Sequence, residues 1–178
     1  ARSAALSPFI EIDAEQRFIM LGDSCLLAYG KERPEVVGDG VSSVGALITA
    51  ACRAGTLQLT PSEIDNPEVM IEQVLPAGRR LPLQWRHNLG RGARAVAVDG
   101  RSSRYPADLA VARKAMAALS LEFASVDLID VGGVTLVLEV NSGVMLEMLA
   151  RTMPDGVALA ESIYRAALLR LLGRKVTD

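Results

Sequence analysis

The chain has 178 residues, half of them hydrophobic, with 19 Lys+Arg against 21 Asp+Glu. That length buries a core and that composition carries no signature of disorder, while the near-balance of charge offers no field to attract nucleic acid or a membrane surface. No apolar run reaches the roughly 18 residues of a membrane helix, and Ala4–Leu6 behind a lone Arg2 is too short for a signal-peptide core, so the expectation is a soluble, cytoplasmic protein of one domain.

In chain order, Phe9–Leu21 and Cys25–Tyr29 predict a hairpin around the turn signal Gly22-Asp23-Ser24. Glu11, Asp13, Glu15 and Arg17 alternate with their neighbours and so mark a wet face on its first strand. Lys31–Gly40 reads as a proline- and glycine-bearing loop. Ser42 or Ser43 caps a helix that runs to about Ala54, with Val44, Leu47, Ile48 and Ala51 on one side and Gly55 as the stop. Thr60-Pro61-x-Glu63 is a capping-box start, and Asn66-Pro67-Glu68 is a second helix start before Val69–Val74.

Leu81–Arg86 then predicts a strand, His87–Arg94 a polar glycine loop, and Ala95–Val98 another short strand. Pro106 opens a helix through Leu121. Phe123–Ile129 and Val134–Asn141 make a second hairpin around Val131-Gly132-Gly133, and helices over Met145–Arg151 and Val157–Leu172 finish the chain. Hairpins with helices between them imply an α+β fold, an antiparallel sheet with helices packed on one face.

The second hairpin is the most informative stretch. Glu139 and Asn141 lie two apart on a strand and share a face, about 7 Å from one another. A three-residue turn at Val131-Gly132-Gly133 pairs Asp127 with Val137 and Ser125 with Glu139. Asp127, Glu139 and Asn141 then share one face, and Ala124, Val126, Leu128, Leu136, Leu138 and Val140 make a wholly apolar opposite face. A two-residue turn flips one strand and scatters the pattern. Two carboxylates and an amide oxygen on a rigid sheet suit Mg²⁺, a hard cation that keeps positions open for phosphates. The pattern alone also fits the plain solvated face of an antiparallel sheet.

Other chemistry has little material. Cys25 and Cys52 are far apart with no CxxC spacing, which excludes zinc and thioredoxin-like sites. His87 is the one histidine, and as a loop residue it reads as solvated sooner than as a substrate contact. Lysine is confined to Lys31, Lys114 and Lys175, so the basic residues are nearly all arginine. That bias reflects either genomic composition or a use for planar forks on carboxylates and phosphates.

VDLI followed by LVLEVN resembles the magnesium-binding hairpin of ATP-grasp ligases. EQRFIMLGDSCLLAYGKERPEVVGDG resembles the acid-x-Arg strand pair of that superfamily. It ends in a VVGDG loop similar to one in cyanophycin synthetases and bifunctional glutathione synthetases. LPLQWRHNLGRGA is similar to the strand and Asn-Leu-x-x-Gly-Gly loop of those enzymes and of ribosomal-protein glutamate ligases.

The resemblance implies an ATP- and Mg²⁺-dependent ligase that joins a carboxylate to an amine through an acyl phosphate, on amino-acid or peptide substrates. It implies that Pro8, Phe9 and Ile10 form the hinge beside adenine and that Glu15 holds the ribose hydroxyls. Arg17 lies near substrate or phosphate. Either Lys31 or Arg33 is the phosphate-side cation, and Arg86 and Asn88 line the acceptor and the developing anion. Asp127, Glu139 and Asn141 are the metal ligands, and Leu138 packs on adenine, although the alternation argument places it in the core. The loop Asn141-Ser142-Gly143-Val144-Met145 lacks the family's Pro-Gly turn.

The resemblance further implies that residues 1–178 are the C-terminal ATP-grasp subdomain, without the glycine-rich flap and two phosphate lysines of the other subdomain. The chain is then expected to be inactive alone and to pair as a homodimer through apolar surface left uncovered. The contrasting expectation is a non-catalytic nucleotide-binding or interaction module with an ATP-grasp-like sheet.

Overall fold

The computed structural model describes residues 10–173; Pro8 and Phe9 lie outside the described residues. The elements are β1 (Ala14–Leu21), β2 (Ser24–Glu32), β3 (Glu35–Val37), α1 (Val44–Arg53), β4 (Arg80–Pro82), β5 (Arg94–Ala97), α2 (Tyr105–Leu119), β6 (Phe123–Val131), β7 (Val134–Asn141), α3 (Glu147–Thr152) and α4 (Gly156–Leu171). Five strands form one antiparallel sheet in the order β5-β2-β1-β6-β7, and β3 pairs with β4 in a separate ribbon. The α+β expectation holds. No helix among the described residues is long and apolar enough to cross a membrane.

The chain divides into two compact units, Ala1–Ala28 with Val98–Val144, and Tyr29–Ala97 with Met145–Asp178. In the first, β1 and β6 run antiparallel with Arg17 opposite Asp127 and Phe18 opposite Val126. Alternation sends Phe18, Met20, Ala124, Val126 and Leu128 to one side, where they bury against Ala112 and Met116 of α2. α2 is therefore the helix layer of this unit. The other side presents Glu15, Arg17 and Asp127.

The hairpin β6–β7 corrects the expected register. Its turn has two residues, since Val131 pairs with Val134. Gly132 and Gly133 both have positive φ, 58° and 84°, the left-handed pair that a two-residue hairpin turn demands. Asp13 and Asp130 carboxylates accept the turn's Gly132 and Gly133 N–H groups at 2.8 and 2.9 Å. Such a turn alone would place Leu138 opposite Asp127 and send Glu139 to the α2 side. Instead Leu128 pairs with Val137 and Asp127 with Glu139, so Leu138 is the extra residue of a β-bulge. The bulge restores the parity that the turn removes. Asp127 thus faces Glu139 rather than Val137, and Ser125 faces Asn141 rather than Glu139. Leu136 and Leu138 are exposed, not core: the two-residue turn pairs Leu136 with Ile129 on the face away from α2, and Leu138 is the unpaired bulge residue of the edge strand.

In the second unit, Val36, Val44, Leu57, Leu75, Leu81 and Leu83 form a separate core. Ser43 caps α1 by accepting the Ala46 N–H. The helix expected after Asn66 is absent. Its segment is extended and turned, and the carbonyls of Ile71 and Gln73 accept the Gly45 and Val44 N–H groups at 2.9 and 2.8 Å. These are first-turn donors of α1 that no helical partner can satisfy. Asn66 spends its side chain on the Pro82 carbonyl and the Glu68 N–H. The capping box at Thr60 holds only a short 3₁₀ turn, Pro61–Glu63. β2 extends through Lys31, which was expected in a loop, and the strand expected over Leu81–Arg86 stops at Pro82.

Candidate functional site

Asp127 sits in the middle strand of a β1–β6–β7 corner and is 1% exposed. Its two oxygens accept from one guanidinium: Arg17 Nε donates to Oδ1 at 2.5 Å and Nη2 donates to Oδ2 at 2.6 Å. The same Nη2 lies 3.6 Å from Glu139 Oε1. Asn141 Nδ2 donates to that Glu139 oxygen at 2.9 Å. Parity explains the gathering: Arg17 and Glu139 flank Asp127 in register on its two neighbours, and Asn141 is the next residue of β7 on that face. Glu15, two residues before Arg17, faces the same way and is buried.

The donor set is two carboxylates and one amide oxygen, hard ligands of the kind Mg²⁺ takes. No cluster of three His, Cys, Asp or Glu residues exists among the described residues, so a cation here would be completed by the amide and by groups outside the protein. The guanidinium of Arg17 stands in for that cation, forked on one carboxylate and within salt-bridge reach of the other. The residues fit the metal.

The remaining expected residues belong to the second unit, apart from Ile10, which is exposed, and Leu138, exposed at the bulge. Lys31 is buried on β2, and Arg33 is half-buried in the link to β3. Arg86 and Asn88 lie on the loop after β4. Arg86 Nη1 donates to Asp65 Oδ2 at 2.6 Å, and its guanidinium lies 4.3 Å from the Trp85 ring centroid. Asp65 Oδ1 also accepts the Trp85 N–H at 3.1 Å. Asn88 caps the turn that follows it by accepting the Gly90 N–H at 2.8 Å.

His87 corrects the expectation of a solvated ring. It is buried, and its Nδ1 lies 2.6 Å from the Lys31 carbonyl. A carbonyl only accepts, so Nδ1 carries the proton. Asp65 and His87 thus fasten the Arg86–Asn88 loop, and sequence reasoning missed both. Asp65 lies in no periodic pattern; the signal for His87 was only its place between two singled-out residues.

The VVGDG loop is also built. Asp39 accepts from the Ser42 hydroxyl and from the Ser42 and Val41 N–H groups, which hold its carboxyl down to about 2. A Cβ at Gly38 would fall 2.3 Å from the Pro76 oxygen, so only glycine fits there. Burial raises the Cys25 thiol, which disfavours the thiolate a nucleophile needs.

A RimK-like ATP-grasp domain matches residues 68–166, more than half of the chain. Among solved structures, a bifunctional glutathione synthetase from Pasteurella multocida is similar with a TM-score of 0.61 and 18% identity, over 88% of this chain and 25% of that one. A likeness at that identity is one of fold, and the chain spans about a quarter of that protein's length. No curated protein matches the chain significantly.

Proposed function

The chain belongs to the RimK-like ATP-grasp family, and from that premise we propose that it provides the metal and phosphate side of an ATP-dependent ligase joining a carboxylate to an amine through an acyl phosphate. The observation that carries the reading is Asp127 opposite Glu139, with the Arg17 guanidinium forked on Asp127 and within salt-bridge reach of Glu139. Asp127, Glu139 and Asn141 would hold Mg²⁺, which when bound neutralises charge on the phosphoryl oxygens.

The rest of the work falls to the chain's own groups. Arg17, Lys31 or Arg33 bind and orient phosphoryl oxygens, and Arg86 with Asn88 stabilises the anion that develops when the amine attacks. Glu15 accepts from ribose hydroxyls, and Ile10 and Leu138 offer exposed apolar contact to the base. No side-chain nucleophile enters, in keeping with a buried, structural His87 and a thiol at Cys25 kept protonated by its surroundings. Amino acids or peptides are the proposed substrates, and the exposed Leu168, Leu171 and Leu172 at the end of α4 support a homodimer.

Calorimetric titration of Mg²⁺ with a non-hydrolysable ATP analogue, on the wild type and Asp127→Asn, tests the site. The expected result is metal-dependent nucleotide binding that the substitution weakens by at least about tenfold. Nucleotide binding indifferent to both metal and Asp127 would remove the basis of the reading.

A further inference from the structure

Arg17 and Asp127 are held more tightly than a residue waiting for a phosphate requires. The fork uses both oxygens of a carboxylate that is 1% exposed, at 2.5 and 2.6 Å, and reaches toward the second carboxylate at 3.6 Å. The buried carboxylate a divalent cation would use is therefore already paired, and the same guanidinium lies within salt-bridge reach of the second. A free cation must displace a bidentate, charge-assisted pair, and doing so leaves the guanidinium without its carboxylate partner.

A nucleotide changes that balance. Its phosphates offer the guanidinium an equally good fork, so Arg17 can transfer to phosphate as the cation transfers to Asp127 and Glu139. Every charge then exchanges one partner for another and none is stranded. We propose that Arg17 is the resident counter-ion of the metal site and determines its specificity: the site admits a divalent cation as its nucleotide complex and resists the free ion. The inference rests on the ligase reading above for the identity of the metal ligands. It adds that an arginine credited with substrate contact first acts on the metal.

The test uses Mn²⁺ as the probe, followed by electron paramagnetic resonance on this chain, without nucleotide and then with a non-hydrolysable ATP analogue. Arg17→Met removes the fork, Arg17→Lys keeps the charge without it, and Asp127→Asn removes the ligand. Without nucleotide, Arg17→Met is expected to bind Mn²⁺ at least about tenfold tighter than wild type, with Arg17→Lys between them. The gain in Mn²⁺ affinity on adding the analogue is expected to shrink by the same factor.

Equal affinity of wild type and both Arg17 variants for free Mn²⁺ overturns the proposal. Should Arg17→Met fail to fold, Arg17→Lys still decides it, since it retains a cation beside Asp127. The ligase reading fails separately: in that case Asp127→Asn binds Mn²⁺ and nucleotide as the wild type does. Where Asp127→Asn loses the metal yet Arg17 is neutral to it, only the present inference falls.

Discussion

The β1–β6–β7 corner and the loop from Trp85 to Asn88 both collect charged side chains, and they do so by different physics. At the corner, position follows from strand pairing: Arg17, Asp127 and Glu139 meet because three adjacent strands place them in register. In the loop, position follows from side chains reaching backbone and carboxylate groups far along the chain, Asp65 to Trp85 and Arg86, and His87 to Lys31. Strand-borne chemistry centres on the buried Asp127 and is set by register. Loop-borne chemistry is as well tied but rests on single bonds, each removable by one substitution.

The largest expected effect breaks the corner. Arg17→Met leaves the buried Asp127 carboxylate without its fork and is expected to cost about 3 kcal/mol in urea unfolding. Arg86→Met, in a pair whose partners are 39% and 27% exposed, is expected to cost less than about 1 kcal/mol. Equal losses would show that the two regions are held alike.

The second effect sharpens the loop side. His87→Phe keeps ring volume but removes the Nδ1 donor to the Lys31 carbonyl, at about 1 kcal/mol. His87→Asn can place its Nδ2–H near the same carbonyl. Amide hydrogen exchange over residues 85–93 is expected to quicken in the phenylalanine variant and to recover in the asparagine one. The opposite order would make packing, not the bond, the fastening.

Those two regions also divide what was legible. Fold class, α1, α2, both hairpins and the oxygen-bearing face followed from periodicity and parity. Even the wrong turn length led to the right cluster: the sequence calls for Asp127, Glu139 and Asn141 on one face, and the bulge at Leu138 supplies the missing half-period. A bulge leaves no periodic trace, so Leu138 was placed in the core when it is in fact exposed. The Asn66 segment misled for another reason. Its helix-start chemistry is real, but tertiary bonds to α1 and β4 outcompeted a local helix. His87 and Asp65 lay beyond reach because their partners stand 56 and 21 or fewer residues away with no pattern between.

Leu138 gives a smaller test on the corner's edge. Because it is exposed, Leu138→Ser is expected to change stability by no more than about 0.5 kcal/mol. If it contacts the adenine, nucleotide affinity in the same titration falls about three- to tenfold, while Mn²⁺ affinity without nucleotide stays level. A drop in both would mean that the bulge residue also shapes the metal face.

The smallest effect concerns a loop fixed by local bonds alone, Asp39 in VVGDG. Its carboxyl is depressed from 3.8 to about 2, first by the Ser42 hydroxyl and then by the Ser42 and Val41 N–H groups. A folded-state value below the unfolded one means that the carboxylate favours the fold wherever both states are ionised. The contribution is therefore full above about pH 4, and it fades as pH falls through the folded value near 2. A carbon-detected titration of Asp39 is expected to show its midpoint near pH 2 in the wild type and nearer the ordinary value in Ser42→Ala, which loses the leading bond. Unchanged titration in Ser42→Ala would transfer the cause to the backbone N–H groups. In that event the turn into α1, not the serine, would be what sets this loop apart from the buried corner.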